Sequence, residues 1–190
     1  MYREALESHR NLFLRTLERL NLDELVSIAG ILRTFLDSRE KSILVCGNGG
    51  SSALSQHFAI DLGLGTQRFL GRQGCRVFDL TANSAVLTAA ANDTGFENVF
   101  SSQIELYAKK GDLLIAISSS GNSKNIIEAV STASKLGLIT IGLTGFDGGV
   151  VRRLVNHSVH VETEIGLYGT VEDTHSFVLH ALTYLIRLEG

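Results

Sequence analysis

Four serines and a glycine form the polar stretch whose chemistry is clearest from the sequence. Residues 118–123 read Ser-Ser-Ser-Gly-Asn-Ser, between an apolar run at 113–117 and a segment of helical spacing from 126. The hydroxyls therefore fall where a buried strand ends and a helix begins, and free backbone N–H groups at such a point attract an anion. The pattern indicates a phosphate-binding loop, here called the serine loop. Without the Gly-Lys-Ser/Thr order of a Walker loop, it does not imply ATP.

A plainer interpretation of the serine loop stays open. Ser120 or Asn122 could cap the following helix while the other serines fill a turn. One cap accounts for one side chain, whereas the loop offers four hydroxyls: Ser118, Ser119, Ser120 and Ser123.

A glycine-rich turn at residues 47–52, Gly-Asn-Gly-Gly-Ser-Ser, follows an apolar run at 42–46 that is typical of a buried strand. Its glycines allow a tight turn and a close approach of the backbone to a ligand. Such a turn is a weak signal alone. It gains weight because parallel strands end at the same edge of a sheet, which is where the serine loop is also expected.

The predicted helix after the glycine-rich turn carries His57 and Asp61, four residues apart. At this spacing both side chains share one helix face and could bind one metal ion or one substrate. The alternatives are a surface His–Asp pair or a histidine whose hydrogen bonds are satisfied within the protein.

The last predicted helix, residues 171–188, carries Glu172 and His180. Eight residues separate them by roughly 12 Å along the helix axis. If both serve the same kind of site, the simplest geometry takes each from a different chain. From residue 177 onward the helix is apolar on nearly every side, which favours a subunit interface. His180 could equally be a core histidine.

Strands alternate with helices along the chain, which predicts a doubly wound parallel sheet covered by helices on both faces. The strands are expected at 42–46, 75–80, 112–117, 138–143 and, at an edge, 158–161. A first helix is expected at 2–20. A second helix begins after an Asn21 cap and carries a buried stripe (Leu25, Ile28, Ala29, Leu32, Phe35, Leu36). Another is expected at 84–91, where Asn92 and Asp93 break the helix. Residues 94–97 resemble a capping box, which predicts a helix that continues to about residue 108. A turn is expected at 144–149.

Length and charge limit the classes of function. The 190 residues, without proline, fit one domain spanning 1–190. A net charge of −3 gives no electrostatic reason for a nucleic-acid or membrane partner, and no apolar run approaches a membrane span. Acidic residues near the start do not resemble a signal peptide, and Cys46 and Cys75 form no metal or redox motif. A reduced, cytoplasmic protein is expected.

Several motifs together resemble the phosphoheptose isomerase group of sugar-isomerase (SIS) domain proteins. They are CGNGGS at 46–51, QHF at 56–58, ND at 92–93, ISSSGNS at 117–123 and LTGFDGG at 143–149. The resemblance covers nearly the whole chain. It implies a flavodoxin-like fold and a homotetramer that converts sedoheptulose 7-phosphate to glycero-manno-heptose 7-phosphate in sites between subunits.

The resemblance also implies roles for individual residues. The family's substrate-holding positions are occupied here by Asn48, Gly49, Gly50, Ser51, Asn92, Asp93, Ser118, Ser119, Ser120 and Ser123. Its metal and acid–base positions carry His57, Asp61, Glu172 and His180. Asp61, Glu172 and His180 would transfer protons, and some subset of the four would hold zinc.

Two positions depart from the family pattern, since Asp61 stands for Glu and Glu172 for Gln. Asp61 is one methylene shorter, and Glu172 adds a charge and a second base. Both departures leave room for another ketose phosphate, such as an octulose phosphate, as the substrate. A non-catalytic, DnaA-associating initiation factor of the same domain group is the other alternative, and a sugar-phosphate-sensing regulator would need a DNA-binding domain that does not fit this length.

Overall fold

The computed structural model describes residues 1–36, 38–71 and 74–188. Its strands are β1 (Ser42–Gly47), β2 (Arg76–Asp79), β3 (Leu113–Ser118), β4 (Ile139–Phe146) and β5 (His157–Glu162). Its α-helices are α1 (Tyr2–Glu18), α2 (Leu22–Arg33), α3 (Gly50–Ile60), α4 (Thr66–Leu70), α5 (Ser84–Thr94), α6 (Ser101–Tyr107), α7 (Lys124–Lys135), α8 (Val151–Leu154) and α9 (Tyr168–Arg187). A π-helical turn, Asp61–Gly65, joins α3 to α4, and a short 3₁₀ turn, Phe96–Asn98, precedes α6.

The five strands form one parallel sheet in the order β2-β1-β3-β4-β5. In the centre, Gly47 of β1 is level with Ile117 of β3, and Ser118 is level with Thr144 of β4. This order reverses direction between β1 and β3, and ligands of doubly wound folds bind at such a switch point. The predicted five-stranded, doubly wound sheet is confirmed.

Two hydrophobic clusters cover the two faces of the sheet. One joins inward residues of β1, β3, β4 and β5 to α2, α3 and α9, with Phe35, Phe58 and Leu182 among its members. The other joins the opposite face to α6, α7 and α8 through residues such as Ile104 and Val130. Every residue of β1 and β3 is buried, as expected for strands covered on both sides.

The second helix begins as its sequence predicts, but it ends at Arg33, so Phe35 and Leu36 of the predicted stripe lie in the turn that follows. Asn21 has an extended backbone, and its side-chain oxygen accepts hydrogen bonds from the amides of Asp23 and Glu24. All six residues of the predicted stripe are buried. An N-cap of this kind contributes about 1 kcal/mol, and the buried stripe then attaches the helix to the sheet and to α9.

Three local predictions are wrong. Asn92 and Asp93 do not break the helix; they form its last turn, before Thr94 and the positive-φ Gly95. Thr94 does not cap a helix, because its hydroxyl donates to the carbonyl oxygen of Ala90, and the expected single helix to residue 108 is split into the 3₁₀ turn and α6.

The third error concerns β4, which does not end at Leu143. It continues through Phe146 because Thr144 pairs with Ser118 on one side and Phe146 pairs with Glu162 on the other. The turn expected from residue 144 therefore begins only after Phe146.

Within the three described ranges, no helix has the length and apolar character needed to cross a lipid bilayer.

Candidate active site

The glycine-rich turn and the serine loop meet at the carboxyl ends of β1 and β3. A reciprocal pair of hydrogen bonds joins them, with Asn48 Nδ2 2.8 Å from Asn125 Oδ1 and Asn125 Nδ2 2.9 Å from Asn48 Oδ1. Asn125 lies in the first turn of α7 and is buried. The amide pair therefore fixes the distance between the two loops.

A polar cavity of about 140 Å³ opens between these loops. It is lined by Asn48, Ser51, Ile117, Ser118, Ser119, Ser120, Ser123, Tyr168 and Glu172. Four hydroxyls of the serine loop therefore surround one space at the start of α7, where free amides and the helix dipole favour an anion.

The hydrogen bonds of the serine loop bear on the alternative that it is only a helix cap. Ser123 is the N-cap residue of α7, but its side chain makes no capping hydrogen bond. The Ser119 hydroxyl is buried without a partner among the described residues. Ser118 and Ser120 act as turn residues. The Ser118 hydroxyl accepts from the amide of Gly121, and the Ser120 hydroxyl accepts from the amide of Asn122, whose own side chain accepts from the amide of Val150. Capping and turn bonds thus leave two of the four hydroxyls, those of Ser119 and Ser123, unexplained.

Glu172 of α9 reaches the same cavity across the glycine-rich turn. A methyl group at Gly50 would collide with the Glu172 carboxylate, so the absence of a side chain there admits it. Gly50 is the first residue of α3, and a carboxylate at a helix N-terminus is stabilised by the dipole. Glycine is also suited to position 49, where φ is +54°.

A second cluster forms where α3 runs into the π-turn and faces α9. His57 Nε2 lies 3.6 Å from Asp61 Oδ2, and His180 Nε2 lies 3.8 Å from the same oxygen. The two imidazole rings meet edge to face with their centroids 4.9 Å apart. Both imidazoles are about half exposed and the carboxylate is a quarter exposed, so a ligand can reach all three.

This His57–Asp61–His180 cluster has the donors and spacing of a zinc site. One ligand atom from each residue lies within 4.8 Å of the other two. Tetrahedral zinc with bonds of about 2.0–2.1 Å requires donors roughly 3.4 Å apart, close to the separations present. Two imidazoles and one carboxylate also match the three-protein-ligand pattern of catalytic zinc, which leaves a fourth position for water or substrate.

Comparisons with known proteins identify the family of the chain. The sequence profile of the SIS domain matches residues 9–145. The chain is 38% identical over 185 residues to the phosphoheptose isomerase of Campylobacter concisus (strain 13826), an alignment that covers 96% of this chain and 93% of that protein.

The chain belongs to the phosphoheptose isomerase family of SIS-domain proteins.

Solved structures of this family have the same fold. The phosphoheptose isomerase of Neisseria gonorrhoeae superposes with a TM-score of 0.85 at 32% identity, covering 98% of both chains. That of Francisella tularensis gives a TM-score of 0.87 at 28% identity, covering 99% of this chain and 97% of the other.

Of the four metal and acid–base candidates, this SIS-domain protein brings three together within one chain. The fourth, Glu172, lies in the serine-loop cavity with Asn48 and Ser51. Asn92 and Asp93 lie on the exposed last turn of α5 and are not among the residues lining either group; the Asn92 amide donates to the Asp93 carboxylate at 2.8 Å. One chain of this isomerase-family protein thus presents two partial sites.

Sequence reasoning missed three residues at these sites. Asn125 and Tyr168 have no motif that marks them, although an asparagine in the first turn of the helix after a ligand loop is a signal that could be searched for. Arg187 donates from Nη2 to the carbonyl oxygen of Asp61 at 2.9 Å. An arginine seven residues after His180 lies on nearly the same helix face, and this spacing could have indicated it.

Another histidine of α9, His175, is fully buried. Its Nε2 lies 3.2 Å from the carbonyl oxygen of Thr144, and burial lowers its pKa from 6.5 to about 4. Because Nε2 must carry the proton for this hydrogen bond, Nδ1 faces the interior without a partner among the described residues. His175 is a structural residue beneath the serine loop, whereas His180 faces a ligand-accessible space.

Proposed function

We propose that this protein is an aldose–ketose isomerase that converts sedoheptulose 7-phosphate to glycero-manno-heptose 7-phosphate. The observation that carries the proposal is the convergence of His57, Asp61 and His180 on one point, in a chain whose relatives are named phosphoheptose isomerases. Two imidazoles and a carboxylate within 4.8 Å of one another provide proton carriers and ligands for a carbonyl-polarising ion.

The serine loop anchors the phosphate of the substrate. Ser118, Ser119, Ser120 and Ser123 surround a cavity at the N-terminus of α7, and a phosphate there accepts hydrogen bonds from hydroxyls and backbone amides. On the other side of this cavity, residues 48–51 complete the wall, and Asn92 and Asp93 contribute from a neighbouring subunit. Holding the far phosphate orders the substrate, so the reacting carbons reach the bases in one orientation.

The reaction moves one proton between adjacent carbons. A carboxylate removes the proton from C1 of the ketose and returns it to C2, while the hydroxyl proton on O1 is transferred to O2. Asp61 or Glu172 is the carboxylate for the first transfer, and His180 is the acid–base group for the second. C1 is oxidised as C2 is reduced within the same molecule and both protons stay on it, so no redox cofactor is consumed.

His57, Asp61 and His180 would hold a zinc ion, which would supply Lewis-acid polarisation of the substrate carbonyl. Glu172, which contacts the serine-loop cavity in its own chain, completes the ligand set from a neighbouring subunit. Asp61 is one methylene shorter than the glutamate of the family pattern, and its place at the start of the π-turn brings its carboxylate within 4 Å of both imidazoles.

The assembly we propose is a homotetramer in the cytoplasm, with each active site built between subunits and without a nucleic-acid or membrane partner. Large apolar side chains stay exposed on α1 and α9, including Leu6 at 69% and Phe177 at 44%. Such surfaces are typical of subunit contacts. The net charge of −3 agrees with a small anionic substrate held by local dipoles and hydroxyls instead of a basic surface.

The test is to incubate sedoheptulose 7-phosphate with the purified protein and to follow the aldose by NMR. We expect an aldose anomeric signal to appear and reach equilibrium. It should not appear when the protein is treated with a chelator before the substrate is added, and it should appear again once Zn²⁺ is restored. An octulose phosphate is the comparison substrate for the departures at Asp61 and Glu172. A protein that converts no ketose phosphate and carries no metal when purified without chelator would contradict the proposal and favour the non-catalytic alternative.

A further inference from the structure

One backbone oxygen of the π-turn accepts an unusual number of hydrogen bonds. The carbonyl oxygen of Asp61 accepts hydrogen bonds from the amide of Thr66, from the Thr66 hydroxyl at 2.9 Å and from Arg187 Nη2 at 2.9 Å. A π-turn inserts one extra residue into a helix and is frequent at functional sites, because it reorients the side chains around it. Here it begins at the residue whose carboxylate lies between two imidazoles.

The Arg187 guanidinium occupies a space that only glycine leaves open. A Cβ atom at Gly65 would stand 2.7 Å from Arg187 Nη2 and 3.6 Å from Asp61 Oδ1, so the guanidinium and the carboxylate border the same point. On its other side, the Arg187 guanidinium carbon lies 5.6 Å from the centre of the Phe69 ring. Phe69 belongs to α4, so Arg187 links α9 to both segments that follow Asp61.

The position of the Arg187 guanidinium carries a free-energy penalty. Arg187 Nε is enclosed and has no acceptor among the described residues. Leaving a buried donor unpaired costs roughly 1–3 kcal/mol, and more when the group is charged. A solvated arginine at the end of a helix would avoid this cost, so its placement indicates a constraint other than stability.

We propose that Arg187 is a positioning residue that locks the π-turn and thereby holds the Asp61 carboxylate between His57 and His180. This inference rests on the proposed function of that cluster. Arg187 and His180 are seven residues apart on α9 and so lie on nearly the same helix face. One face of α9 thus supplies one member of the cluster and the group that orients another.

Two substitutions remove the contact by different routes. Arg187→Met keeps the unbranched apolar stem and deletes the donors, while Gly65→Ala leaves Arg187 in the chain and displaces its guanidinium. Gly63→Ala is the matched control, because it lies in the same π-turn. Among the described residues its Cβ would meet only Cys75 O at 3.6 Å and Val77 Cγ2 at 3.9 Å, which are ordinary contacts. Arg187→Lys retains a cation that can reach a carbonyl and tests rescue.

The measurements are kcat and KM with sedoheptulose 7-phosphate, and the visible spectrum and affinity of Co²⁺ added to the metal-free protein. In Arg187→Met and Gly65→Ala we expect kcat to fall roughly ten- to a hundredfold with KM nearly unchanged, since the serine loop is untouched. Co²⁺ affinity should fall about tenfold, and its absorption should change shape. Gly63→Ala should behave as wild type, and Arg187→Lys should recover part of kcat.

The outcomes separate this inference from the proposed function. If Arg187→Met and Gly65→Ala match wild type in kcat and in the Co²⁺ spectrum, Arg187 does not position Asp61, whatever the substrate. If wild type converts no ketose phosphate but its Co²⁺ spectrum still depends on Arg187 and Gly65, the positioning role stands and the proposed reaction fails. Equal losses in Gly63→Ala would show that any alanine in the π-turn is harmful and would overturn the specific role of the guanidinium.

Discussion

Two histidines on the last helix show what a residue's type does and does not reveal. His175 and His180 are five positions apart on the same helix, yet His175 is fully buried and the His180 side chain is 53% exposed. Five residues turn an α-helix by about 140° beyond a full turn, so the two side chains leave it on different faces. The alternative that His180 is a core histidine is wrong; that description belongs to His175.

Replacing His180 with alanine should abolish turnover and leave the fold and assembly intact. His180 is half exposed, so its loss creates no core cavity, but it removes one proton carrier and one donor of the His57–Asp61–His180 cluster. We expect kcat to fall at least about a hundredfold, the scale of a general acid–base contribution. The aldose signal in NMR measures this.

His9→Ala is the control, since His9 is exposed on α1 and far in sequence from the cluster. Retention of full turnover by His180→Ala, with His9→Ala unchanged, would remove His180 from the mechanism.

His175 should make the protein less stable in mild acid. Its pKa is lowered by burial from 6.5 to about 4, so the unfolded chain binds a proton more readily than the folded chain between these values. This loss of stability is absent above pH 6.5 and grows as the pH falls towards 4. At pH 5 it amounts to about 2 kcal/mol of lost unfolding free energy. Urea unfolding at pH 7 and pH 5 measures the loss.

His175→Gln provides the comparison, because glutamine can donate to the Thr144 carbonyl and does not titrate. We expect its unfolding free energy to change less between pH 7 and pH 5, by about 2 kcal/mol, even if the variant is less stable at both. His160, whose pKa burial also lowers, remains in both proteins and cancels in the difference. Parallel pH profiles would show that His175 titrates normally in the fold.

At the scale of elements, the serine loop is held by the loop after β4. Gly121 has φ +62°, a left-handed conformation, and a Cβ there would collide with the carbonyl oxygen of Gly148. The amide of Val151 donates to the Gly121 carbonyl oxygen at 2.9 Å, and the amide of Gly145 donates to the Ser119 carbonyl oxygen at 2.9 Å. The two loops fit against each other backbone to backbone, so the position of the serine hydroxyls depends on Gly121 and Gly148.

Gly121→Ala should therefore cost more than its backbone conformation alone explains. Gly111→Ala is the matched control, since Gly111 also has positive φ, +89°, but its added Cβ would have no neighbour within 4 Å in the part of the chain that the structure describes. We expect about 1–2 kcal/mol of lost stability for Gly111→Ala from the left-handed backbone, and a larger loss for Gly121→Ala. Denaturant unfolding measures both.

Only Gly121→Ala should also raise the KM for the phosphorylated substrate, because only it shifts the serine loop. Equal losses of stability and equal KM values for the two variants would show that the contact with the loop after β4 is unimportant.

The sequence predicts helices and strands better than their ends and the segments that connect them. Apolar runs and glycine-rich turns place the five strands and the sheet edge that carries both loops. Burial on both faces leaves a continuous apolar signature in β1, β3 and β4, whereas β2 and β5 are partly exposed. The π-turn at Asp61–Gly65 has no such signature, since one extra residue in a helix changes no residue type. The end of β4 was misplaced for a similar reason: Thr144 and Gly145 resemble a turn, but pairing with β3 and β5 extends the strand.

The same limit applies to the candidate site. The serines, His57 and Asp61 stand out by type and spacing within single segments. By contrast, the Asn48–Asn125 amide pair and the Arg187 contact with Asp61 join positions 77 and 126 residues apart. Tertiary packing decides such contacts, and the residue types involved are common at exposed positions.

At the scale of the whole molecule, each chain presents its functional groups as two partial sites on the surface. Glu172 lies with the serine loop, and His180 lies with His57 and Asp61. Both residues belong to α9, where eight positions separate them by roughly 12 Å along the axis. One sugar phosphate of seven carbons can contact both kinds of site if a neighbouring subunit brings its own cluster to the serine loop. Size-exclusion chromatography with light scattering should then report a tetramer.

Mixed assemblies test this arrangement directly. Glu172→Ala and His180→Ala should each be inactive alone, because every site lacks one group. Co-expressed at equal levels with different affinity tags, they form tetramers in which a site that takes Glu172 from one chain and His180 from another has both groups in about a quarter of cases. Doubly purified mixtures should therefore regain roughly a quarter of wild-type turnover. If both groups served a site within one chain, no mixture could contain an intact site, and the doubly tagged protein would stay as inactive as its parents.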